Sequence, residues 1–324
     1  MNILTSTGWP DYELLDSGNG MRFERFGPYT TVRPDPQAIW KPFLPQSEWQ
    51  KADVLFQRTR DDKGVWKFKR AIPEKWKMEY KNISFWTRLT SFKHTGVFPE
   101  QSLQWDFITE KISSRLRSNK TIGVTRDGEP QKVSAVNKEH DALFGADERQ
   151  DSRSVSVLNL FGYTGIASIV AAAAGAKVTH VDASKPSITW ARENQKLSRL
   201  EEKPIRWILD DAVKFVEREI RRGTTYDGVI MDPPVYGHGP TGQVWKFNEN
   251  FPRLMESVSK LLSPNPLFVV VNAYAISASS LMLQNVMDDY LKHLKGTIEV
   301  GELILEEKFG KRPLSTGIFA RWSK

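Results

Sequence analysis

The stretch "VSVLNLFGYTGIASIVAAAAGAKVTHVDAS" (155–184) decides the fold. Its first six residues form a short apolar run, which is typical of a buried strand. "IASIVAAAAGA" follows as a helix whose alanines allow close packing on a sheet, and "KVTHVD" is a second apolar strand. A strand, a helix and another strand in immediate succession predict a parallel βαβ unit.

The same alternation continues towards the C-terminus. Further strands are predicted at "PIRWIL", "YDGVIM" and "PLFVVVNAY" and near 298–306 and 315–321, and further helices at "KPSITWARENQKLSRL", "DAVKFVEREIRR" and "ENFPRLMESVSKLL" and near 277–294. Strands that alternate with helices indicate an α/β fold with a mostly parallel sheet covered on both faces. No internal repeat is visible.

The first hundred or so residues differ from the rest of the chain in composition and in sequence pattern. They contain seven of the eleven tryptophans, and five prolines between 28 and 45 divide them into short pieces. "GVWKFKRAI" (64–72) and "MEYKNISFWTRLTSF" (78–92) are both predicted as strands, the first half exposed. We therefore expect a small β-rich N-terminal domain over residues 1–90, a candidate for recognition of the substrate or of RNA, followed by a second domain over residues 91–324.

Two segments join these parts. Residues 99–118 have helical spacing, with Leu103, Phe107, Ile108 and Ile112 on one side. Residues 119–153 are mostly polar and only weakly periodic, which predicts a long loop or a mobile insertion.

Composition excludes several classes of protein. The chain of 324 residues has no cysteine, which excludes disulfides, thiolate metal sites, iron–sulfur clusters and cysteine nucleophiles. The five histidines show no metal-ligand spacing, so we expect no metal. No apolar run is long enough to cross a membrane, and the N-terminus does not resemble a signal peptide, so we expect a cytoplasmic protein. A net charge of +7 suits an anionic partner such as RNA, although many cytoplasmic proteins are equally basic.

In a parallel sheet, ligands bind beyond the carboxyl ends of the strands. The first strand ends in "NLFGYTGIAS" (159–168), where Gly162 and Gly165 allow a tight turn that presents backbone amides to a carboxylate. The dinucleotide fingerprint GxGxxG is absent. The alternative is an ordinary strand–helix turn.

The next two strands end in acids. Asp182 is placed to accept hydrogen bonds from a ribose diol, although Asp182 or Ser184 could equally cap the following helix. Asp211 is placed to accept from an adenine amino group, whereas Asp210 could simply be solvated. Either of these two acids could also be a helix cap.

The fourth strand ends in "MDPPVYGHGP" (231–240). Two prolines hold the chain extended, so the Asp232 carboxylate and the carbonyl of Pro233 form a rigid pair of acceptors. Such a pair suits a planar group that carries N–H donors, with Tyr236 stacked on the ring and two glycines leaving room for it. The alternative is a turn stiffened by proline.

These motifs in this order resemble a class I S-adenosylmethionine-dependent methyltransferase. More narrowly, they are similar to the bacterial ribosomal RNA large-subunit methyltransferases that modify cytosine or guanine. "TGVFPEQ" (95–101) resembles the segment that precedes the Rossmann-like domain in those enzymes. The resemblance covers roughly residues 90–115 and 155–321, and it implies a sheet whose last strand is antiparallel.

The resemblance also implies a cofactor, S-adenosylmethionine, and a set of residues around it. The loop 161–165 would hold its methionine part, Asp182 the ribose, Asp211 the adenine amino group, and the segment 98–101 would form a lid. Asp232 and Pro233 would lie beside the methyl group, and together with Tyr236 they are the expected catalytic residues. The expected cofactor-binding residues are Phe98, Pro99, Glu100, Gln101, Asn159, Phe161, Gly162, Tyr163, Thr164, Gly165, Asp182, Ala183, Ser184, Asp211, Ala212 and Asp232.

Two features depart from the family. Enzymes that methylate carbon 5 of a pyrimidine use a cysteine, and this chain reads "VVVNAYAIS" where they carry one. Residues 1–90 do not match the RNA-binding PUA module with which the family often starts. The leading hypothesis is therefore N-methylation of a base in ribosomal RNA, guanine first. The alternatives are a methyltransferase acting on a protein or small molecule, a non-catalytic RNA-binding protein and, less favoured, an NAD-dependent oxidoreductase.

Overall fold

A computed structural model describes residues 2–59, 64–122, 154–274 and 278–324. Most of the polar stretch predicted as a loop at 119–153 lies outside the described residues. Its first residues, 119–122, continue a helix, so the loop prediction is wrong for them. Within the described ranges, every helix is too short or too polar to span a bilayer.

The central element is an eight-stranded sheet in which all strands run parallel except β17, which is antiparallel to both of its neighbours. This confirms the predicted Rossmann-like sheet with an antiparallel last strand. From one edge to the other the strands are β1 (Asn2–Ser6), β16 (Thr297–Glu306), β17 (Pro313–Ser323), β15 (Phe268–Ala273), β12 (Gly228–Met231), β9 (Val155–Leu160), β10 (Ala176–Asp182) and β11 (Ile205–Leu209).

The strand order reverses between β9 and β12. From β9 the chain moves outward through β10 to β11, whereas β12 and β15 lie on its other side. Such a reversal opens a crevice at the carboxyl ends of the two central strands. Leu160 pairs with Met231 across this point, so the loop after β9 and Asp232 emerge side by side.

Helices cover both faces of the sheet, as predicted. Alternate residues of β9 point to opposite faces, because side chains of a strand alternate with a period of two. Leu158 and Leu160 pack in one core cluster with the helices over 212–221, 247–259 and 280–291, and Val155 and Val157 pack in another with the helices over 102–122 and 166–173. The helices are α1 (Gln46–Trp49), α2 (Ser102–Ile122), α3 (Ile166–Ala173), α4 (Lys185–Leu197), α5 (Ala212–Arg221), α6 (Phe247–Ser259) and α7 (Ser280–Leu291), with 3-10 turns at Pro99–Gln101 and Lys292–Leu294.

The N-terminal region is rich in β-structure, as expected. A five-stranded sheet contains β2 (Tyr12–Gly18), β3 (Met21–Phe26), β4 (Tyr29–Pro34), β5 (Val54–Arg58) and β6 (Gly64–Phe68), and a separate hairpin contains β7 (Lys75–Tyr80) and β8 (Ile83–Arg88). This region shares a core cluster with the part of the chain that contains the large sheet, in which Trp9, Trp76 and Phe85 pack with Trp105 and Ile169. The domain boundary at residue 90 stays a prediction.

Three details differ from the sequence prediction. Residues 2–6 do not belong to the N-terminal sheet but pair with β16 at the edge of the large sheet. "MEYKNISFWTRLTSF" is a hairpin rather than one strand, because the chain turns at Lys81, whose φ of 51° is left-handed. A further short hairpin, which the sequence did not indicate, contains β13 (Tyr236–His238) and β14 (Val244–Lys246).

Candidate active site

The loop that follows β9 has an unusual backbone. Phe161, Tyr163 and Gly165 adopt left-handed φ values of 56°, 50° and 77°. Bulky residues adopt this conformation only when their surroundings impose it, and such residues cluster at functional sites. Gly165 also begins α3, and a Cβ atom there would lie 2.7 Å from the Cβ of Ala191. The surroundings of the loop therefore hold Phe161 and Tyr163 in a left-handed backbone conformation that bulky residues rarely adopt.

Gly162 is fixed by a buried histidine. A Cβ atom at Gly162 would lie 2.3 Å from Cε1 of His180, which is fully buried. The Nδ1 atom of His180 lies 3.0 Å from the hydroxyl of Ser168, which accepts a 2.8 Å hydrogen bond from Asn159. Burial lowers the pKa of His180 to about 3, so the ring is neutral. His180 is thus a rigid wall against which only a glycine fits.

Asp182 connects the ends of two neighbouring strands. Its Oδ2 accepts a 2.8 Å hydrogen bond from the backbone N–H of Tyr163, and its Oδ1 accepts one of 2.8 Å from Ser184. Burial raises its pKa, while these two hydrogen bonds oppose that rise. The cap of α4 is Ser184, whose hydroxyl accepts from Ser187, and Ala183 lies between the two. Each oxygen of Asp182 keeps acceptor capacity for a further donor.

Asp211 and Asp210 have different roles at the end of β11. Asp211 is the N-cap of α5, which begins at Ala212, because its Oδ1 accepts from the backbone N–H of Lys214 at 3.0 Å. A Cβ atom at Gly239 would lie 2.9 Å from the second oxygen of Asp211, so this glycine leaves room there. Asp210 forms a 2.5 Å ion pair with Arg218 and is not simply solvated.

Asp232 receives a hydrogen bond from the lid segment. The side-chain amide of Gln101 donates to Oδ2 of Asp232 over 2.7 Å. Burial raises the pKa of Asp232 to about 7; the hydrogen bond from Gln101 opposes this rise and the nearby carboxyl of Glu100 adds to it. Glu100 itself is only 3% exposed, and burial raises its pKa too. Asp232 is therefore poised to gain or lose a proton near neutral pH.

The lid segment is packed against the loop after β9. The ring of Phe98 lies 6.0 Å from that of Tyr163 and 5.3 Å from that of Tyr274. The hydroxyl of Thr164 donates to the carbonyl of Gly96 over 2.7 Å, and the carbonyl of Pro99 accepts from Ser6. The cleft between lid and loop has a volume of about 30 Å³.

The prolines after Asp232 lead into the β13–β14 hairpin. Pro233 is buried, and the carbonyl of Pro234 accepts a 2.6 Å hydrogen bond from the indole of Trp245. The ring of Trp245 lies 4.9 Å from that of Phe161, which ties the hairpin to the loop after β9. Tyr236 is 57% exposed at the start of the hairpin. Its stacking on a substrate ring stays a prediction.

The structure gathers about half of the expected residues around one cleft. The expected residues that line it are Phe98, Gln101, Asn159, Phe161, Gly162, Tyr163, Thr164 and Asp232. The others are not part of its lining, and these are Pro99, Glu100, Gly165, Asp182, Ala183, Ser184, Asp211, Ala212, Pro233 and Tyr236.

Sequence reasoning missed three residues that support the site. His180 lies in mid-strand and carries no motif. Asn194 is fully buried and connects the carbonyl of Thr164 to the backbone N–H of Trp86, so it ties the N-terminal hairpin to the loop. Tyr274 follows β15 and contacts the lid. The strand-end rule, applied to this fifth strand as well, would have found Tyr274.

The residues at this edge fit S-adenosylmethionine. The cofactor carries a sulfonium, an ammonium, ribose hydroxyls and an adenine amino group, all of which are cationic or donate hydrogen bonds. The edge offers the carboxylates of Asp182, Asp211 and Asp232, and the buried Oε2 of Glu100 has no partner among the described residues.

Comparison with known proteins points the same way. A family model for S-adenosylmethionine-dependent methyltransferases matches residues 144–300. The solved structure of the S-adenosylmethionine-dependent methyltransferase from Agrobacterium tumefaciens is 41% identical with a TM-score of 0.85, and the match covers 100% of this chain and 93% of that one. A candidate S-adenosylmethionine-dependent methyltransferase from Streptococcus mutans shares the fold at 15% identity and a TM-score of 0.67, over 98% of this chain and 76% of that one.

Curated relatives match a shorter region. "Ribosomal RNA large subunit methyltransferase K/L" of Shewanella sp. (strain MR-4) is 35% identical over 126 residues, which are 38% of this chain and 18% of that protein. The protein of the same name from Pseudoalteromonas translucida is 28% identical over 172 residues, 50% of this chain and 24% of that protein. The chain thus spans less than a quarter of the length of these relatives.

The match to the Agrobacterium protein extends over both the N-terminal sheet and the large sheet. At the carboxyl edge of the large sheet, this chain also has a cleft lined by residues expected to bind the cofactor, among them Tyr163 and Asp232. The alternatives of an NAD-dependent oxidoreductase and of a non-catalytic protein are therefore wrong. The chain belongs to the S-adenosylmethionine-dependent methyltransferases, and its cofactor is S-adenosylmethionine.

Proposed function

We propose that this enzyme methylates a nitrogen of a base in ribosomal RNA, with guanine as the favoured base and without a covalent cysteine intermediate. The observation that carries the proposal is the half-buried carboxyl group of Asp232 at the reversal of strand order, bound by the planar amide of Gln101. Guanine also carries N–H donors on the edge of a planar ring, so it could donate to Asp232 in the way that the planar amide of Gln101 does. The curated relatives named as ribosomal RNA methyltransferases support RNA as the acceptor.

The residues that would hold the cofactor are those of the carboxyl edge. The loop 161–165 would bind its methionine part, Asp182 its ribose and Asp211 its adenine amino group. Bound there, S-adenosylmethionine supplies an electrophilic methyl group on a sulfonium. Because Phe98 and Gln101 lie across the cleft from the loop 161–165, the segment 98–101 would move outward when the methionine part of the cofactor binds.

The chain's own contribution to the reaction is alignment and proton transfer. Asp232 would replace its bond to Gln101 with one to the N–H of the base, and so direct the attacking nitrogen. A carboxylate whose pKa is about 7 can then take the proton that leaves the nitrogen. The buried Pro233 fixes the backbone beside it, and the exposed ring of Tyr236 would stack on a base that has left its helix.

The cofactor role of Asp182 predicts a loss of affinity. Asp182→Ala removes the acceptor for the ribose and also releases the backbone of Tyr163, so we expect S-adenosylmethionine to bind at least about 10-fold more weakly in isothermal titration calorimetry. Glu202→Ala is the control, because this exposed acid lies in the turn before β11, at the opposite edge of the sheet. Equal affinities for wild type and Asp182→Ala would contradict the assignment.

The proposed acceptor predicts a defined product. With isotope-labelled S-adenosylmethionine and ribosomal RNA from cells that lack this enzyme, we expect label in an N-methylated guanosine after digestion to nucleosides. Asp232→Asn should lower the rate by roughly 100-fold or more, as is typical for the loss of a general base. Label found only in protein or small molecules would overturn RNA as the substrate, and label at carbon 5 of cytosine would overturn the chemistry.

The raised pKa of Asp232 predicts a dependence on pH. Below pH 7 the carboxyl holds a proton and cannot accept one, so kcat/KM should rise with pH and level off above about 7. In Gln101→Ala the carboxylate loses a hydrogen bond that stabilises it, so the midpoint should move to higher pH. A pH profile that is the same in wild type and Asp232→Asn would show that another group titrates.

A further inference from the structure

Two surface loops meet at the tip of the β16–β17 hairpin. The hairpin turn, residues 307–312, lies against the loop 40–44. Arg312 donates a 2.8 Å hydrogen bond to the carbonyl of Lys41, and a Cβ atom at Gly310 would lie 3.2 Å from the Cβ of Phe43. Together the loops expose an alternation of cationic and aromatic side chains. We call it the tip patch, and its members are Lys41, Phe43, Lys308, Phe309 and Lys311.

A buried ionic network holds the two loops together. Asp16 and Glu307 are both fully buried, and each forms an ion pair with Arg312, at 3.2 and 2.8 Å. Asp16 also accepts from the backbone N–H groups of Phe43 and Leu44, at 3.1 and 2.8 Å. Buried charges are costly unless their geometry and hydrogen bonds are well satisfied. The network therefore fixes the backbone from which the tip patch projects.

The side chains of the tip patch are exposed. Phe43 is 63% exposed and Phe309 is 46% exposed, which is unusual for large aromatic residues. The ammonium of Lys308 lies 5.8 Å from the ring centre of Phe309 and 2.7 Å from Glu13, and that of Lys311 lies 3.6 Å from Glu306. Exposed pairs of this kind contribute little energy, so the lysines can exchange them for phosphates.

The tip patch lies beyond the same edge of the sheet as Asp232. β16 runs parallel to β15 through the antiparallel β17, and β15 runs parallel to β12. Through the intervening strands, Met231 is in register with Val300. Across the sheet, β16 therefore lies three strand spacings from β12. Along the strand direction, β16 ends about five residues beyond the level of Asp232. The strand dimensions give a separation on the order of 20 Å. A few extended nucleotides cover that distance.

We infer that the tip patch binds the single-stranded RNA that flanks the target base, with Phe43 and Phe309 stacked on bases and the lysines on phosphates. Proteins that hold single strands combine these two features, because aromatic rings stack on any base and cations follow the backbone. The inference rests on the proposed function, since it presupposes an RNA substrate. It assigns part of the recognition of RNA to the C-terminal hairpin.

The test measures binding of a fluorescein-labelled single-stranded RNA of twenty nucleotides by fluorescence anisotropy. The double variant Phe43→Ala/Phe309→Ala should bind roughly 10-fold more weakly or worse. The matched control is Phe68→Ala, because Phe68 is a phenylalanine of similar exposure, 57%, on the edge strand β6. A plot of log affinity against log salt concentration has a negative slope, and the double variant Lys308→Ala/Lys311→Ala should make that slope less steep by roughly 1 to 1.5. Calorimetry with S-adenosylmethionine and a melting curve check that the variants are folded.

The outcomes separate this inference from the proposed function. If wild type and the double phenylalanine variant bind RNA equally, or if Phe68→Ala loses as much affinity, the tip patch is not the RNA surface. A loss of binding to another protein with RNA binding intact would also overturn the inference. If wild-type enzyme neither binds RNA nor methylates ribosomal RNA, the proposed function itself fails. The inference would be supported if Phe43→Ala/Phe309→Ala weakened RNA binding, Phe68→Ala did not, and Lys308→Ala/Lys311→Ala made the affinity less dependent on salt.

Discussion

The packing of Gly162 on the buried ring of His180 is the constraint on which the rest of the site depends. The neutral imidazole leaves space for a hydrogen atom but not for a methyl group, so the chain after β9 must pass directly over it. The bonds from Asn159 to Ser168 and from Ser168 to His180 hold the ring in place. The left-handed turns of Phe161 and Tyr163 follow from this path, and they bring the N–H of Tyr163 to Asp182. One buried contact thereby sets the shape of the loop and the position of the neighbouring acid.

The same loop connects the two parts of the chain. Thr164 binds Gly96, two residues before the lid, and is connected through Asn194 to the β7–β8 hairpin. The lid reaches the opposite side of the cleft through the bond from Gln101 to Asp232. In the proposed opening of the cleft, the hydrogen bond from Gln101 to Asp232 would break and Phe98 would separate from Tyr163 and Tyr274, while the buried framework around His180 would stay in place. This division allows a rigid sheet edge and a movable cover to act on one ligand.

Sequence could predict the parts of the fold that depend on local pattern. The alternation of strands and helices predicted the parallel sheet, and the strand-end rule placed Asp182 and Asp232 at its carboxyl edge, where the structure has them. It could not predict that Gln101 contacts Asp232, because 131 residues separate them in the chain and no periodicity connects them. The pairing of residues 2–6 with β16 and the ion pair of Asp16 with Arg312 are missed for the same reason. The stretch 78–92 was predicted as a strand although it contains the turn of the β7–β8 hairpin, because that turn, residues 81–82, contains no glycine or proline.

The most direct test of the account is a crystal structure of the enzyme with S-adenosylhomocysteine. The account predicts the ligand at the carboxyl edge, with its ribose on Asp182, its amino acid part on the loop 161–165, and the segment 98–101 displaced from its present position. It would be contradicted by a ligand bound elsewhere, for example in the cleft of about 460 Å³ that Tyr80, Trp105 and Arg117 help to line. A ligand at the edge that left Gln101 on Asp232 and Phe98 in place would contradict the role given to the lid.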